Sequence, residues 1–199
     1  MGERLILASA SPTRARLLAA AGLIFQVEPP LVDEGAIKRV FQVDGGAAGD
    51  CALALAEAKA RQVAESHRHA LVVGADQILV CGNMWFDKPA GLGDARVQLQ
   101  ALQGRDHQLV TAACVVRNDD RLWQAVSSPK LTMRRFSEAF LDAYLDAEGT
   151  EILGFVGAYR LEGRGIQLFA DIEGDYFAIL GLPLLELLGF LRSRGALPS

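Results

Sequence analysis

Leu5-Ile6-Leu7-Ala8-Ser9-Ala10-Ser11-Pro12-Thr13-Arg14-Ala15-Arg16-Leu17-Leu18 sets a strand, a tight turn and the start of a helix end to end. The unbroken apolar run at residues 5–8 is the pattern of a strand covered on both faces. Ser11 is a natural N-cap and Pro12 a natural first helical residue. Leu17, Leu18 and Ala21 share one helical face, and Gly22 is a natural stop. Outward from this unit, residues 50–67 predict an Ala-rich helix with Asp50 as its N-cap. Residues 70–75 predict a second buried strand ended by Asp76. Gly82-Asn83 between residues 77–80 and 84–86 is a hairpin signal. Further on, the pattern predicts a helix over 94–102, strands over 107–117 and 122–133, and a helix over 138–146 capped by Ser137. A glycine-rich loop over 154–165, a strand over 166–172 and a helix over 183–194 complete the chain. Helices alternating with strands, with antiparallel hairpins inserted, indicate an α/β fold on a mixed sheet with flanking helices.

The composition excludes several classes. With 51% hydrophobic and 22% charged residues, the 199-residue chain has ample apolar material for a core and is not intrinsically disordered. Its length fits a single domain spanning 1–199, without repeats or a long linker. A net charge of -4 argues against a general nucleic-acid coat, so no nucleic-acid partner is expected. Cys51, Cys81 and Cys114 are widely spaced, without a CxxC. They read as buried thiols in a reducing compartment rather than as a disulfide frame or zinc site. The N-terminal apolar run is too short for a signal peptide. The most apolar stretch, 177–191, contains Pro183 and Glu186 and is short of the roughly 20 residues that span a bilayer. No membrane partner and a cytoplasmic location are therefore expected.

Three stretches could carry chemistry. Ser9, Ser11 and Arg14 surround a helix N-terminus, where backbone N–H groups, two hydroxyls and a guanidinium suit phosphate, although an ordinary cap with surface arginines reads equally well. Asp76 follows a buried strand, where a carboxylate can hold Mg²⁺ or serve as a general base, and Lys59 and Lys88 are cations that could reach it. A turn-forming Asp and solvated lysines are the plainer reading. Residues 157–165 hold Tyr159, Arg160, Glu162 and Arg164 among glycines, without a GxGxxG or GxxxxGK[ST] fingerprint. The three histidines show no metal-ligand spacing.

Taken together, these blocks resemble the Maf family of nucleotide pyrophosphatases. Ser9-Ala10-Ser11-Pro12-Thr13-Arg14 is similar to the family's S-x-S-P-R-R, Val32-Asp33-Glu34 to V-D-E, and Ala56-Glu57-Ala58-Lys59-Ala60 to A-x-x-K-A. Gly74-Ala75-Asp76-Gln77, Asp87-Lys88-Pro89, the run from Gly104 through His107 to Thr111, the run from Gly157 to Gly163, Ile172-Glu173-Gly174-Asp175-Tyr176 and Gly181-Leu182-Pro183-Leu184 follow in the family's order. No single block is specific, but the set covers nearly the whole chain.

The resemblance implies a mixed-sheet α/β fold with two lobes and a central cleft, similar to the inosine triphosphate pyrophosphatases. It implies hydrolysis of a nucleoside triphosphate to the monophosphate and pyrophosphate with Mg²⁺ or Mn²⁺. Carried over by position, Asp76 is the proton acceptor, and Ser9, Ser11, Arg14, Lys59 and Lys88 hold the phosphates. Asp76 and Glu34 hold the metal. The chain departs from the dTTP/UTP-hydrolysing branch at Thr13, Gln77 and Glu162. Gln77 and Glu162 resemble the branch that hydrolyses 7-methyl-GTP, which has a Trp where Thr13 stands. A dTTP/UTP pyrophosphatase and a non-catalytic nucleotide-binding regulator of cell division are the alternatives. A homodimer is compatible with the family, but the sequence shows no clear interface.

Overall fold

A computed structural model describes residues 3–197 of the chain. The ends of the expected 1–199 domain (Met1, Gly2, Pro198 and Ser199) lie outside the described residues. The element order is β1 (Leu5–Ala8), α1 (Pro12–Ala20), β2 (Gln26–Val27), α2 (Glu34–Val43), α3 (Ala48–Ala64), β3 (Leu71–Cys81), β4 (Met84–Phe86) and α4 (Leu92–Leu102). Then come β5 (Asp106–Arg117), β6 (Asp120–Ser127), β7 (Lys130–Met133), α5 (Glu138–Glu148), β8 (Phe169–Glu173), α6 (Tyr176–Ile179) and α7 (Leu184–Ser193). The eight strands form one sheet in the order β2-β1-β3-β5-β7-β8, with β4 on β3 and β6 on β5. The β1–β2 and β1–β3 pairs are parallel, whereas β3–β4, β5–β6, β5–β7 and β7–β8 are antiparallel, so the sheet is mixed as expected. No described helix is long and apolar enough to cross a membrane.

The chain divides into two compact units. Among the described residues, the first comprises residues 3–77, Val110–Ser127 and residues 175–197, and the second Ile78–Leu109 and Ser128–Gly174. In the first, the period-two alternation of a strand sorts side chains onto two apolar layers. Leu5, Leu7, Leu71, Val73, Ala75, Ala113 and Val115 pack with Leu18 of α1 and Leu184, Leu187 and Leu191 of α7. Ile6, Ala8, Val72, Cys114 and Val116 pack with Ala56, Ala60, Val63 and Ala64 of α3. Each fully buried Leu, Ile or Val contributes about 1.5–3 kcal/mol. Gly74 lies on the α3 side, and a Cβ there would fall 2.0 Å from the Ala56 carbonyl oxygen and 2.9 Å from the Ala60 Cβ. Small residues on both elements thus bring the backbones of α3 and β3 into contact.

Several boundaries differ from the sequence expectation. The strand expected to stop at Asp76 runs on to Cys81, because the charge of Asp76 is met by a lysine and does not force the chain to the surface. Helix α3 starts at Ala48, with Ala47 as an N-cap that makes no side-chain bond. Asp50 instead lies in the first turn, where an acid suits the helix dipole. Pro129, which has no N–H, interrupts the expected 122–133 strand between β6 and β7. Residues within the glycine-rich 154–165 segment form short 3₁₀ turns, and β8 begins only at Phe169. Helices α2 and α6 and the short strand β2 were not anticipated. All three cysteines are buried free thiols, and burial raises Cys51 to about 11 and Cys114 to about 12.

The second unit holds a buried aromatic cluster. His107 Nε2 lies 2.8 Å from the Tyr159 hydroxyl, Tyr159 packs edge-on to Phe169 at 4.9 Å, and the Tyr144 hydroxyl donates to the Ala158 carbonyl at 3.1 Å. Burial holds the His107 imidazole down at about 4.

Two expectations follow from these contacts. Gly74→Ala should lower stability by about 1–3 kcal/mol or more, because a backbone carbonyl blocks the new methyl, and lower Tm by several degrees. Unchanged thermal and denaturant melts would refute the close approach. The unfolded chain protonates His107 near 6.5 and the folded chain only near 4. Stability should therefore fall as pH drops from about 6.5 to about 4, by up to roughly 3 kcal/mol from this group. Denaturant melts of wild type and His107→Gln across that range should diverge in slope.

Candidate active site

Strand β1 ends where α1 begins, and the sequence determines both. Ser11 caps the helix, accepting from the Arg14 amide at 3.4 Å, and Pro12 takes the first helical position. Ser9 is buried, and its Oγ accepts from the Ser11 amide and from Arg14 Nη1, both at 3.2 Å. Arg14 Nε donates to the Gly181 carbonyl at 2.7 Å, tying α1 to the turn between α6 and α7. That turn places Gly181 at φ +100, a conformation that favours glycine, with Arg14 Nε only 3.2 Å from where a Cβ would be. Burial lowers the Arg14 guanidinium from its usual value, while the negative charges of Asp76 and Glu34 act to raise it.

The parallel register pairs Ala8 with Gly74, so Asp76 lies two residues beyond the partner of Ala8, near the β1–α1 turn. Alternation puts Asp76 on the same face as Val72 and Gly74, toward α3. From that helix Lys59, between Ala56 and Ala60, meets it. Lys59 Nζ is 2.5 Å from Asp76 Oδ1 and 2.8 Å from Glu34 Oε1, with Lys59 only 6% and Asp76 5% exposed. Glu34 is the exposed first residue of α2, which Asp33 caps by accepting from the Ala36 amide at 2.9 Å. Asp33 as cap and Ile37, Val40 and Phe41 at helical spacing are the signals from which α2 could have been read.

Six of the expected residues thus gather in the first unit: Ser9, Ser11, Arg14, Glu34, Lys59 and Asp76. Lys88 and Glu162 belong to the second. Lys88 is exposed on the turn after β4, which is braced where Gln98 Nε2 donates to the Asp87 carbonyl at 3.1 Å and the Ala90 amide donates to Asp94 Oδ2 at 3.0 Å. Glu162 is exposed on a loop folded tightly back on itself. A Cβ on Gly165 would lie 2.4 Å from the Arg160 carbonyl oxygen. Arg160 bridges Glu148 at 2.9 Å and Glu151 at 2.8 Å.

Two residues that set the chain apart within its family resemblance have clear local roles. Thr13 is buried and its Oγ1 accepts from Arg16 Nη2 at 3.2 Å. Gln77 Nε2 donates to Thr111 Oγ1 at 2.8 Å and to the carbonyls of Ala178 and Ile179 at 3.0 and 3.1 Å, so its amide secures α6. The roles of Gln77, Thr111 and Gly181 in holding α6 and Arg14 were missed from sequence, because each depends on contacts far apart along the chain.

A divalent cation fits the donor set. Two carboxylates converge on one ammonium, which stands in for a cation, and hard cations such as Mg²⁺ are commonly held by one or two carboxylates together with substrate phosphates. Among the described residues no group of three or more His, Cys, Asp or Glu side chains forms a fuller metal cage.

Known proteins similar to this chain span nearly its whole length. A protein of Rhodospirillum rubrum named nucleoside triphosphate pyrophosphatase is 52% identical over 194 residues, covering 98% of this chain and 96% of its own. One of Granulibacter bethesdensis with the same name is 50% identical over 98% of both chains. A 7-methyl-GTP pyrophosphatase of Rhizobium meliloti is 48% identical over the full length of both. Residues 4–194 match the Maf-like protein family, and the chain belongs to that family.

Proposed function

We infer that this chain hydrolyses a nucleoside triphosphate to the nucleoside monophosphate and pyrophosphate, with a preference for 7-methyl-GTP or a related purine triphosphate. The observation that carries the reading is the Asp76–Lys59–Glu34 cluster, with Asp76 and Lys59 buried, beside the Ser9–Arg14 helix N-terminus. A carboxylate next to an anion-binding turn is the minimum needed to activate water against a phosphoric anhydride. The pyrophosphatase names of full-length relatives support it.

In the proposed mechanism, the N-terminus of α1 and Arg14 receive the phosphate chain, and Ser9 and Ser11 orient it with their hydroxyls. Lys88 and Lys59 contribute positive charge to the phosphates. Asp76 takes a proton from water as the water oxygen bonds to phosphorus. Water attacks the α-phosphorus, the bond from that atom to the oxygen bridging it to the β-phosphorus breaks, and the electron pair leaves with pyrophosphate. A divalent cation held by Asp76 and Glu34 would supply further charge neutralisation at the phosphate oxygens. A non-catalytic regulator would have no need of a water-activating carboxylate at this place.

Base choice rests on Glu162. An ionised Glu offers only acceptors, which suit N1–H and N2–H of guanine and oppose O4 of uracil or thymine, whereas a Gln amide suits the pyrimidine. Methylation at N7 makes guanine cationic and its N1–H more acidic, so a carboxylate suits that base better still. Arg160 pairs with Glu148 and Glu151 and also lies within the electrostatic reach of Glu162.

Pyrophosphate release from a panel of triphosphates with Mg²⁺ or Mn²⁺ tests the reaction itself. Asp76→Asn should lower kcat by at least ~10²-fold, within the ~10²–10⁴ range of general-base loss, while the far-ultraviolet spectrum is kept. Near-full activity would remove Asp76 from the chemistry. Wild type should favour 7-methyl-GTP over dTTP and UTP in kcat/KM by at least about tenfold, the effect of one mismatched polar group, and Glu162→Gln should erase or reverse the order. A wild-type preference for dTTP or UTP, or a ranking untouched by the swap, would refute the role of Glu162.

A further inference from the structure

We propose that Lys59 is a resident counter-ion which a divalent cation must displace, so that cation entry at Asp76 and Glu34 and release of the Lys59 ammonium are one coupled event. The inference rests on the assignment of Asp76 and Glu34 as the carboxylates that hold the cation. Lys59 Nζ already occupies the point where the two carboxylates converge, 2.5 Å from one and 2.8 Å from the other. Mg²⁺ takes oxygen ligands at about 2.0–2.1 Å, so a cation held by Asp76 Oδ1 and Glu34 Oε1 would stand in the space that Nζ fills.

The charge balance points the same way. Asp76 and Glu34 act electrostatically on the half-buried Arg14 guanidinium as well as pairing with Lys59. Two carboxylates therefore face at least two cationic side chains, so these four groups carry no net negative charge without a metal. A divalent ion added to that set leaves an excess of positive charge unless Lys59 departs or an anionic substrate arrives with the ion. The backbone of α3 is fixed at this level, because Ala56 and Ala60 on either side of Lys59 are packed against Gly74. Release must therefore occur along the flexible four-carbon stem of the lysine rather than by movement of the helix. The displaced ammonium becomes a phosphate ligand, and its departure uncovers Asp76 Oδ1. Coupling of this kind is reciprocal, so pyrophosphate and the cation should each strengthen the binding of the other.

The test is a Mn²⁺ titration of the protein alone, without nucleotide, followed by calorimetry and by the electron paramagnetic resonance signal of free Mn²⁺. Lys59→Met keeps the length of the side chain and removes its charge, and it should bind Mn²⁺ about tenfold more tightly than wild type, a one-pKa-unit scale of interaction. Lys59→Arg keeps the charge and should bind no more tightly than wild type. Adding Glu34→Gln to Lys59→Met should abolish the gain. If Lys59→Met unfolds without a cation, the rise in Tm produced by saturating Mn²⁺ should exceed that of wild type. Equal or weaker Mn²⁺ binding by Lys59→Met, or no binding by wild type and variant alike, overturns the proposal. Because no triphosphate is present, the expected Mn²⁺ pattern in a protein that cleaves no nucleotide would leave displacement standing and overturn only the pyrophosphatase reading.

Discussion

A carboxylate buried in the middle of a strand needs a cation within contact distance, and here the distance is set by a missing side chain. Gly74 and Ala56 let α3 lie directly against β3, and only then does Lys59 reach Asp76 two residues further along the strand. Removing one partner from a buried ion pair costs about 3–5 kcal/mol, because the other charge is left uncompensated. The Ala-rich face of α3 therefore serves the cluster as well as the core. Larger side chains at Ala56 or Ala60 would bury more apolar area but move the lysine away from the carboxylate.

The second constraint is the junction of β1 and α1. The helix needs partners for its first amides, and Ser11 supplies one through its hydroxyl. The buried Ser9 hydroxyl is oriented by two donors, one of them Arg14. Arg14 in turn is held by the Gly181 carbonyl, in a turn whose left-handed backbone excludes most other residues. The guanidinium is thus fixed before any ligand arrives, which limits the side-chain entropy lost on binding an anion. Gln77 and Thr111 extend the same support to α6 through the Ala178 carbonyl. In this chain the amide of Gln77 acts on the backbone of α6, and its effect on substrate choice would be exerted through that support.

Much of this was legible in sequence where the signal is local. The apolar run at residues 5–8, the Ser11 cap, Pro12 and the stop at Gly22 reproduce β1 and α1 almost to the residue, and Ser137 caps α5 as expected. Asp76 shows what local patterns miss. Read alone, a charged residue after an apolar run ends a strand, whereas here Lys59, seventeen positions earlier, neutralises it and β3 continues to Cys81. Helix α2 has its cap and its periodicity in the sequence, yet none of its residues is buried, so the usual mark of a helix packed in a core is absent. The convergence of Glu34 and Asp76 on a single ammonium depends on the packing of α2 and α3, which no spacing rule supplies.

The loop bearing Glu162 follows a different logic from the buried cluster. Its side chain is exposed, so the base discrimination proposed for it would depend on a stable backbone beneath it rather than on burial of the carboxylate itself. Four contacts supply that stability. Tyr159 is packed on Phe169 and hydrogen-bonded to a His107 that burial keeps neutral above about pH 4. Arg160 is anchored by the buried Glu148, and Gly165 closes against the Arg160 backbone. A carboxylate on such a support can be replaced by an amide of the same shape without altering the fold. On the proposed reading, base preference would change by one substitution while the Asp76–Lys59–Glu34 cluster, held by different contacts in the first unit, is left intact.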